Sequence, residues 1–248
     1  MTSVFVLDYP LRLLPGLIVT AAAFLLLGRS APVPRAVLLV LGFVLVRDTM
    51  TPLGLWTLGT APHGALWLRF VPDAGVLVGL GVVGAAGAVA VAYGPRDLRG
   101  LVVWGRLGPR ALATALGAAA VVAGPVLALL WTVPADTRGG AVPIALLPAL
   151  AVLAFGGNLL EEVLFRGVLQ GLLAGRSGVG PVRTVLLSGL FFAAGHMFLA
   201  TTVTDLGWPV PAFTLVEGLA CAWVRIRCGV LASTVTHGTV IFVLASGL

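Results

Sequence analysis

The chain has no lysine: all fifteen of its basic residues are arginine. Charge of either sign is scarce, at 10% of residues, against roughly 25% in a soluble domain. With 59% hydrophobic residues and a mean hydropathy of +1.11, that shortage excludes an ordinary soluble enzyme. It reads as a single polytopic membrane unit. There are two cysteines, Cys221 and Cys228. Seven residues of helix separate them by about 10 Å, too far for a disulfide, so they are read as small apolar side chains. No cleavable leader is expected, because the first apolar run carries Arg12 and lacks a small-x-small cleavage site. Internal repeats and low-complexity linkers are absent from the sequence too. The net charge of +6 comes from arginines in loops, so it speaks for membrane topology and against nucleic-acid binding. Abundant Ala, Gly and Val without lysine suggests a GC-rich coding sequence and a bacterial host.

What the chain does have is apolar length. A helical crossing needs about 20 mainly apolar residues. Eight segments qualify: 11–28, 36–57, 74–93, 110–131, 143–173, 182–200, 209–226 and 229–247. The expected fold is therefore an all-α transmembrane bundle of about eight spans. Residues 97–107 read as a short interfacial helix. The third span carries Gly75 and Gly79, then Gly81, Gly84 and Gly87, small residues that let helices approach closely in lipid.

Arginine placement predicts orientation. Loops one, three, five and seven hold Arg29, Arg35, Arg96, Arg99, Arg106, Arg110, Arg176, Arg183, Arg225 and Arg227, whereas loops two, four and six hold only Arg69 and Arg138. The positive-inside rule places the odd loops in the cytoplasm and both termini outside. His63 falls in an external loop and reads as incidental. Depth then groups the polar residues. Glu161 precedes Ala174 by 13 residues and His196 follows Val182 by 14, so each lies about 20 Å from the cytoplasmic face. By the same count His237 lies about 12 Å in and Glu217 about 15 Å. Four ionisable side chains from four helices share one slab.

Ionisable groups in lipid are costly and mark working sites. Glu162 and Arg166 form an i,i+4 pair in the favourable order. Glu161 is turned by about 100° from Glu162, free to face another helix as a general base. Phe192 and His196 share a face, and Gly195 clears space beside the imidazole. His237 is a candidate donor to a developing oxyanion. The bland alternatives are helix cross-linking by the charges and packing roles for the two histidines. Arg47 and Asp48 interrupt the second span and read as interhelical ties, each with a separate partner, or as a sign that this span is broken.

Glu161-Glu162-x-x-x-Arg166, Phe192-x-x-x-His196 and His237 stand in the order of motifs in the CPBP (CAAX protease and bacteriocin-processing, or Abi) intramembrane proteases. Residues 143–248 resemble that family, which includes the type II CAAX prenyl endopeptidases. Residues 1–142, spans one to four, resemble nothing we name. The resemblance implies a catalytic core in 143–248 in which Glu161 activates water, assisted by His196. It assigns the oxyanion to His237 and the shape of the site to Glu162, Arg166 and Phe192. It implies a peptide or lipid-modified protein as substrate and no cofactor. No His-Glu-x-x-His zinc pattern is present, and no metal is expected.

One position departs from the family. Its last motif is His-x-x-x-Asn or Asp, and the fourth residue after His237 is Ile241, which cannot donate a hydrogen bond. Loss of one oxyanion donor costs about 10²–10³ in rate. Asn158, one helical turn before Glu161, is a candidate substitute, and Thr236 and Thr239 flank His237. The sequence thus predicts an intramembrane endopeptidase of the bacterial plasma membrane, its cavity open to the cytoplasm. Two alternatives stay open: a non-catalytic scaffold or immunity protein of the same family, and a proton-coupled transporter using Glu161, Glu217 and the histidines.

Overall fold

The computed structural model describes residues 3–28, 31–175 and 178–247. Arg29, Arg176 and the side chain of His63 lie outside the described residues. Helices dominate. α1 (Ser3–Leu26) and α2 (Pro32–Asp48) precede a hairpin of β1 (Trp56–Thr60) and β2 (Leu66–Phe70). Then come α3 (Ala74–Tyr93), α4 (Pro109–Leu130), α5 (Leu147–Glu162) and α6 (Gln170–Ala174). α7 (Pro181–Ala194), α8 (Pro209–Cys228) and α9 (Val230–Ser246) complete the order. A π-helical stretch, Val163–Leu169, joins α5 to α6 in one continuous rod.

The chain is an all-α bundle, as expected, but the number of spans is not eight. Among the described residues, five helical stretches are long and apolar enough to cross a membrane: Ala74–Tyr93, Pro109–Leu130, Ile144–Ala174, Pro181–Val203 and Pro209–Cys228. Leu11–Leu26 and Val230–Ser246 are apolar but shorter. The expected second span, 36–57, fails for a local reason. Arg47 and Asp48 turn inward and close α2, and turns around Pro52 and Gly54 lead into the hairpin. In it Leu58 pairs with Leu68 and Thr60 with Leu66.

α3 and α5 run parallel and almost in backbone contact. A Cβ on Gly84 would stand 2.7 Å from the Gly157 Cα, and Gly81 faces the carbonyl of Val152 as closely. Gly75 and Gly79 take no part in this contact: a Cβ on Gly75 meets only Asp73, and one on Gly79 meets nothing within 4 Å. α9 packs on α4, α5 and α8, which puts it at the centre.

Residues 97–107 are not the helix expected. After one 3₁₀ turn at Arg99–Leu101 the chain is extended, and its Val103 and Trp104 carbonyls accept from the N–H groups of Val230 and Leu231. The segment thereby occupies the first turn of α9, where backbone donors lack partners. Gly105 and Gly229, both at positive φ, permit this crossing, since a Cβ on either would strike the other strand's backbone. Arg35 pairs with Asp97 at 2.9 Å, and Arg225 reaches the Leu101 carbonyl. The arginine-rich loops therefore gather at one end. At the other end Arg69 ties the hairpin to the carbonyls of Gly140 and Leu244.

Candidate active site

Glu161 and Glu162 end α5 at the point where the helix widens. Single π turns occur often at functional sites, and this one carries Arg166. Glu162 is fully buried. Its Oε1 lies 3.2 Å from Arg166 Nη1 and 3.0 Å from His237 Nδ1, and its Oε2 accepts from the Ser233 hydroxyl. Arg166 in turn donates to the Gly218 carbonyl and stacks 4.0 Å above the Phe192 ring. A buried ion pair survives only with further partners of this kind. Because Glu162 is an acceptor, Nδ1 of His237 carries the proton, and Nε2 is aimed away from Glu162. There it lies 3.9 Å from Glu161 Oε2 and 3.7 Å from Glu217 Oε1.

His196 is fixed from the opposite side. Its Nδ1 donates to the Phe192 carbonyl at 2.8 Å. Its Nε2 is 2.9 Å from Arg47 Nη1, and a guanidinium only donates, so Nε2 is the acceptor and the ring is the Nδ1–H tautomer. Phe192 packs between the rings of His196 and His237, at 4.6 and 5.6 Å, and holds both.

Arg47 is not among the site residues expected from sequence. It does tie helices together, but on the candidate carboxylate itself. Nη1 is 3.0 Å from Glu161 Oε1, Nη2 donates to the Gly195 carbonyl at 2.8 Å, and Nε and Nη2 both reach Asp48 Oδ1 at 2.8 Å. Adjacent residues do not face each other on a regular helix. Arg47 and Asp48 meet because the helix ends there. Depth was the available signal: Arg47 lies 12 residues beyond Arg35, about 18 Å, the same slab as Glu161 and His196.

Glu161, His196, His237 and Glu217 all line one cleft of about 720 Å³, with Arg47, Asn158 and Ile241. The hairpin roofs it with Trp56, Trp67 and Phe70. A second, larger cavity of about 1060 Å³ runs between α2 and α3 and shares Arg47, Trp56, Phe70, Asn158, Glu161 and Ile241 with the first. Asn158 gives one amide hydrogen to the Ala154 carbonyl at 2.7 Å. Thr236 donates to the Ala115 and Ala232 carbonyls, turned toward α4. Glu162, Cys221 and His237 bring potential ligand atoms within 4.8 Å of one another. Arg166 and Ser233 already occupy Glu162 there, and a guanidinium beside that carboxylate opposes a cation.

Residues 143–243 match the family model described as Rce1-like, type II CAAX prenyl endopeptidase. Those residues are similar to that family. The match covers α5 to α9 almost completely and includes Glu161, Glu162, Arg166, Phe192, His196, Glu217 and His237. No curated protein and no solved structure matches the chain. The matched model describes a CAAX-type protease family, and five helices of the chain are long and apolar enough to cross a membrane. Arg47 and the hairpin stand outside the matched residues, although both line the cleft.

Proposed function

We propose that the protein is an intramembrane endopeptidase in which Glu161 activates water against a peptide carbonyl. The observation that supports this most is the convergence of Glu161, His196 and His237 on one cleft. In this reading water sits at the Oε2 side of Glu161, where His237 Nε2 and Glu217 also face the cleft. The Oε1 side is taken by Arg47. Glu161 accepts the water proton as the oxygen attacks, and His237, held by Glu162 and carrying a proton on both ring nitrogens among the three carboxylates, donates from Nε2 to the carbonyl oxygen. Arg166, Ser233 and Phe192 hold Glu162 and the two rings in register.

The substrate is a membrane-anchored or lipid-modified peptide. The cavity between α2 and α3 is lined by Phe43, Val46, Leu80 and Val83, and Val46 and Val83 are exposed, so an apolar chain in the lipid reaches it sideways. Residues 1–142 then supply this entrance and the roof, and residues 143–248 the chemistry. The cleft extends along Val210 and Phe213 at the start of α8 and Ile241 and Leu244 near the end of α9. That is the arginine-poor end of the bundle, opposite to the cytoplasmic opening expected from sequence. Under the positive-inside rule the substrate is reached from the outer half of the bacterial plasma membrane.

Ile241 favours a second reading, a relative that binds peptides without cutting them. A quenched peptide library presented to purified protein separates the two. Cleavage by wild type that falls at least about 10³-fold in Glu161→Gln is expected. Undiminished cleavage by Glu161→Gln overturns the hydrolytic reading, and peptide binding without cleavage by wild type establishes the second.

A further inference from the structure

We infer that Arg47 is an oxyanion donor of this protein and does at Glu161 what an amide side chain at position 241 would do. The inference rests on the hydrolytic reading above. Among the described residues six line both cavities: Arg47, Trp56, Phe70, Asn158, Glu161 and Ile241. A carbonyl presented to Glu161 from either side meets these. Phe70 and Ile241 have no donor. The indole N–H of Trp56 is spent on the Thr51 hydroxyl, and Asn158 gives one of its two amide hydrogens to its own helix and keeps one, without a charge. Arg47 is the charged donor of the set, a buried cation with Nη1 3.0 Å from Glu161 Oε1.

Its partners divide the guanidinium into a part held by groups outside the reaction and a part held by the candidate base and a histidine. Nε and Nη2 are anchored on Asp48 Oδ1 and the Gly195 carbonyl. Nη1 serves Glu161 and His196, and this is the end that changes partner. In the attack a water O–H bond breaks and its proton passes to Glu161, which becomes neutral. The water oxygen bonds to the carbonyl carbon, and the C=O π pair moves onto oxygen. One negative charge leaves the carboxylate and one appears on the substrate, so the buried site carries no extra charge. The Nη1–H released by Oε1 then faces the new oxyanion, opposite His237 Nε2. A preorganised donor of this kind costs little reorganisation and acts most strongly away from water. His196 in this scheme is a positioning residue: its Nε2 holds the second Nη1 hydrogen.

The test uses the full chain in detergent, with a peptide that wild type cleaves, and thermal melts to confirm folding. Arg47→Ala is expected to lower kcat by about 10²–10³ with KM within about threefold. Arg47→Lys keeps a charge but loses the fork and is expected to stay at least about tenfold below wild type. Adding Ile241→Asn to Arg47→Ala is expected to recover about tenfold or more, and to gain less when added to wild type. A kcat for folded Arg47→Ala within about threefold of wild type overturns the inference, as does an Ile241→Asn gain equal in both backgrounds. Either result leaves Glu161-dependent cleavage standing, whereas a wild type without any cleavage removes the underlying reading and this inference with it.

Discussion

Glu162 and Glu161 are neighbours in sequence with opposite surroundings. Glu162 is enclosed by Arg166, Ser233 and His237, whereas Glu161 borders two cavities. Their substitutions are expected to separate stability from activity. Glu162→Ala leaves Arg166 buried beside a ring and one carbonyl, and removing one partner of a buried pair costs about 3–5 kcal/mol. Ser233→Ala removes one hydrogen bond to a charged group and is expected to cost about 1.5–3 kcal/mol. Unfolding in detergent measures both, and a Glu162→Ala protein that melts with wild type sinks this account. Such division of labour was partly legible in the sequence. The i,i+4 spacing of Glu162 and Arg166 predicted their pairing, and shared depth allowed Glu161 and both histidines to meet without fixing their contact. Which nitrogen of each ring faces the cleft was not legible. That depends on the Phe192 carbonyl and on Glu162, partners fixed by rotamers and by the π turn and invisible to spacing.

At the scale of elements, the site depends on how closely α3 approaches α5, since Glu161 leaves α5 at its end. The glycines along α3 fall at several helical phases, so the sequence marks a close-packing helix without saying which glycines touch. The structure separates them by what a methyl group would meet. Gly84→Ala is expected to destabilise by about 1–3 kcal/mol, because the obstacle is the Gly157 backbone, which cannot rotate away. Gly79→Ala meets nothing within 4 Å and is expected to be neutral or to stabilise by up to about 1 kcal/mol through helix propensity. A pair of thermal melts checks both signs. The hairpin was hidden for a different reason. The apolar run of α2 continues through the turns to Trp56, so a hydropathy window of about 20 residues extends the crossing to where β1 begins and leaves the rest of the hairpin as a loop.

Across the whole molecule, two ends are defined by independent contacts. Arg35 with Asp97, and the carbonyls of Val103 and Trp104 capping α9, collect loops three and seven at one end. Arg69 collects the hairpin, the Gly140 loop and the end of α9 at the other. The cleft lies toward the second end, and nearly all loop arginines lie at the first. Insertion fixes orientation by arginine and lysine in short loops, and here arginine acts alone, so no second cation blurs the asymmetry. A chain carrying Cys228→Ser, with Cys221 buried, allows single-cysteine mapping. Asp136→Cys, exposed beside the hairpin end, is expected to react with a membrane-impermeant maleimide on intact cells. Arg106→Cys, exposed at the arginine-rich end, is expected to react only after permeabilisation. The reverse pattern would turn the hairpin roof and the cleft toward the cytoplasm. It would then require that buried charges such as Arg47 and Arg69, rather than the loop arginines, dominate insertion, although both are already paired or capped within the fold and present little free charge to the membrane.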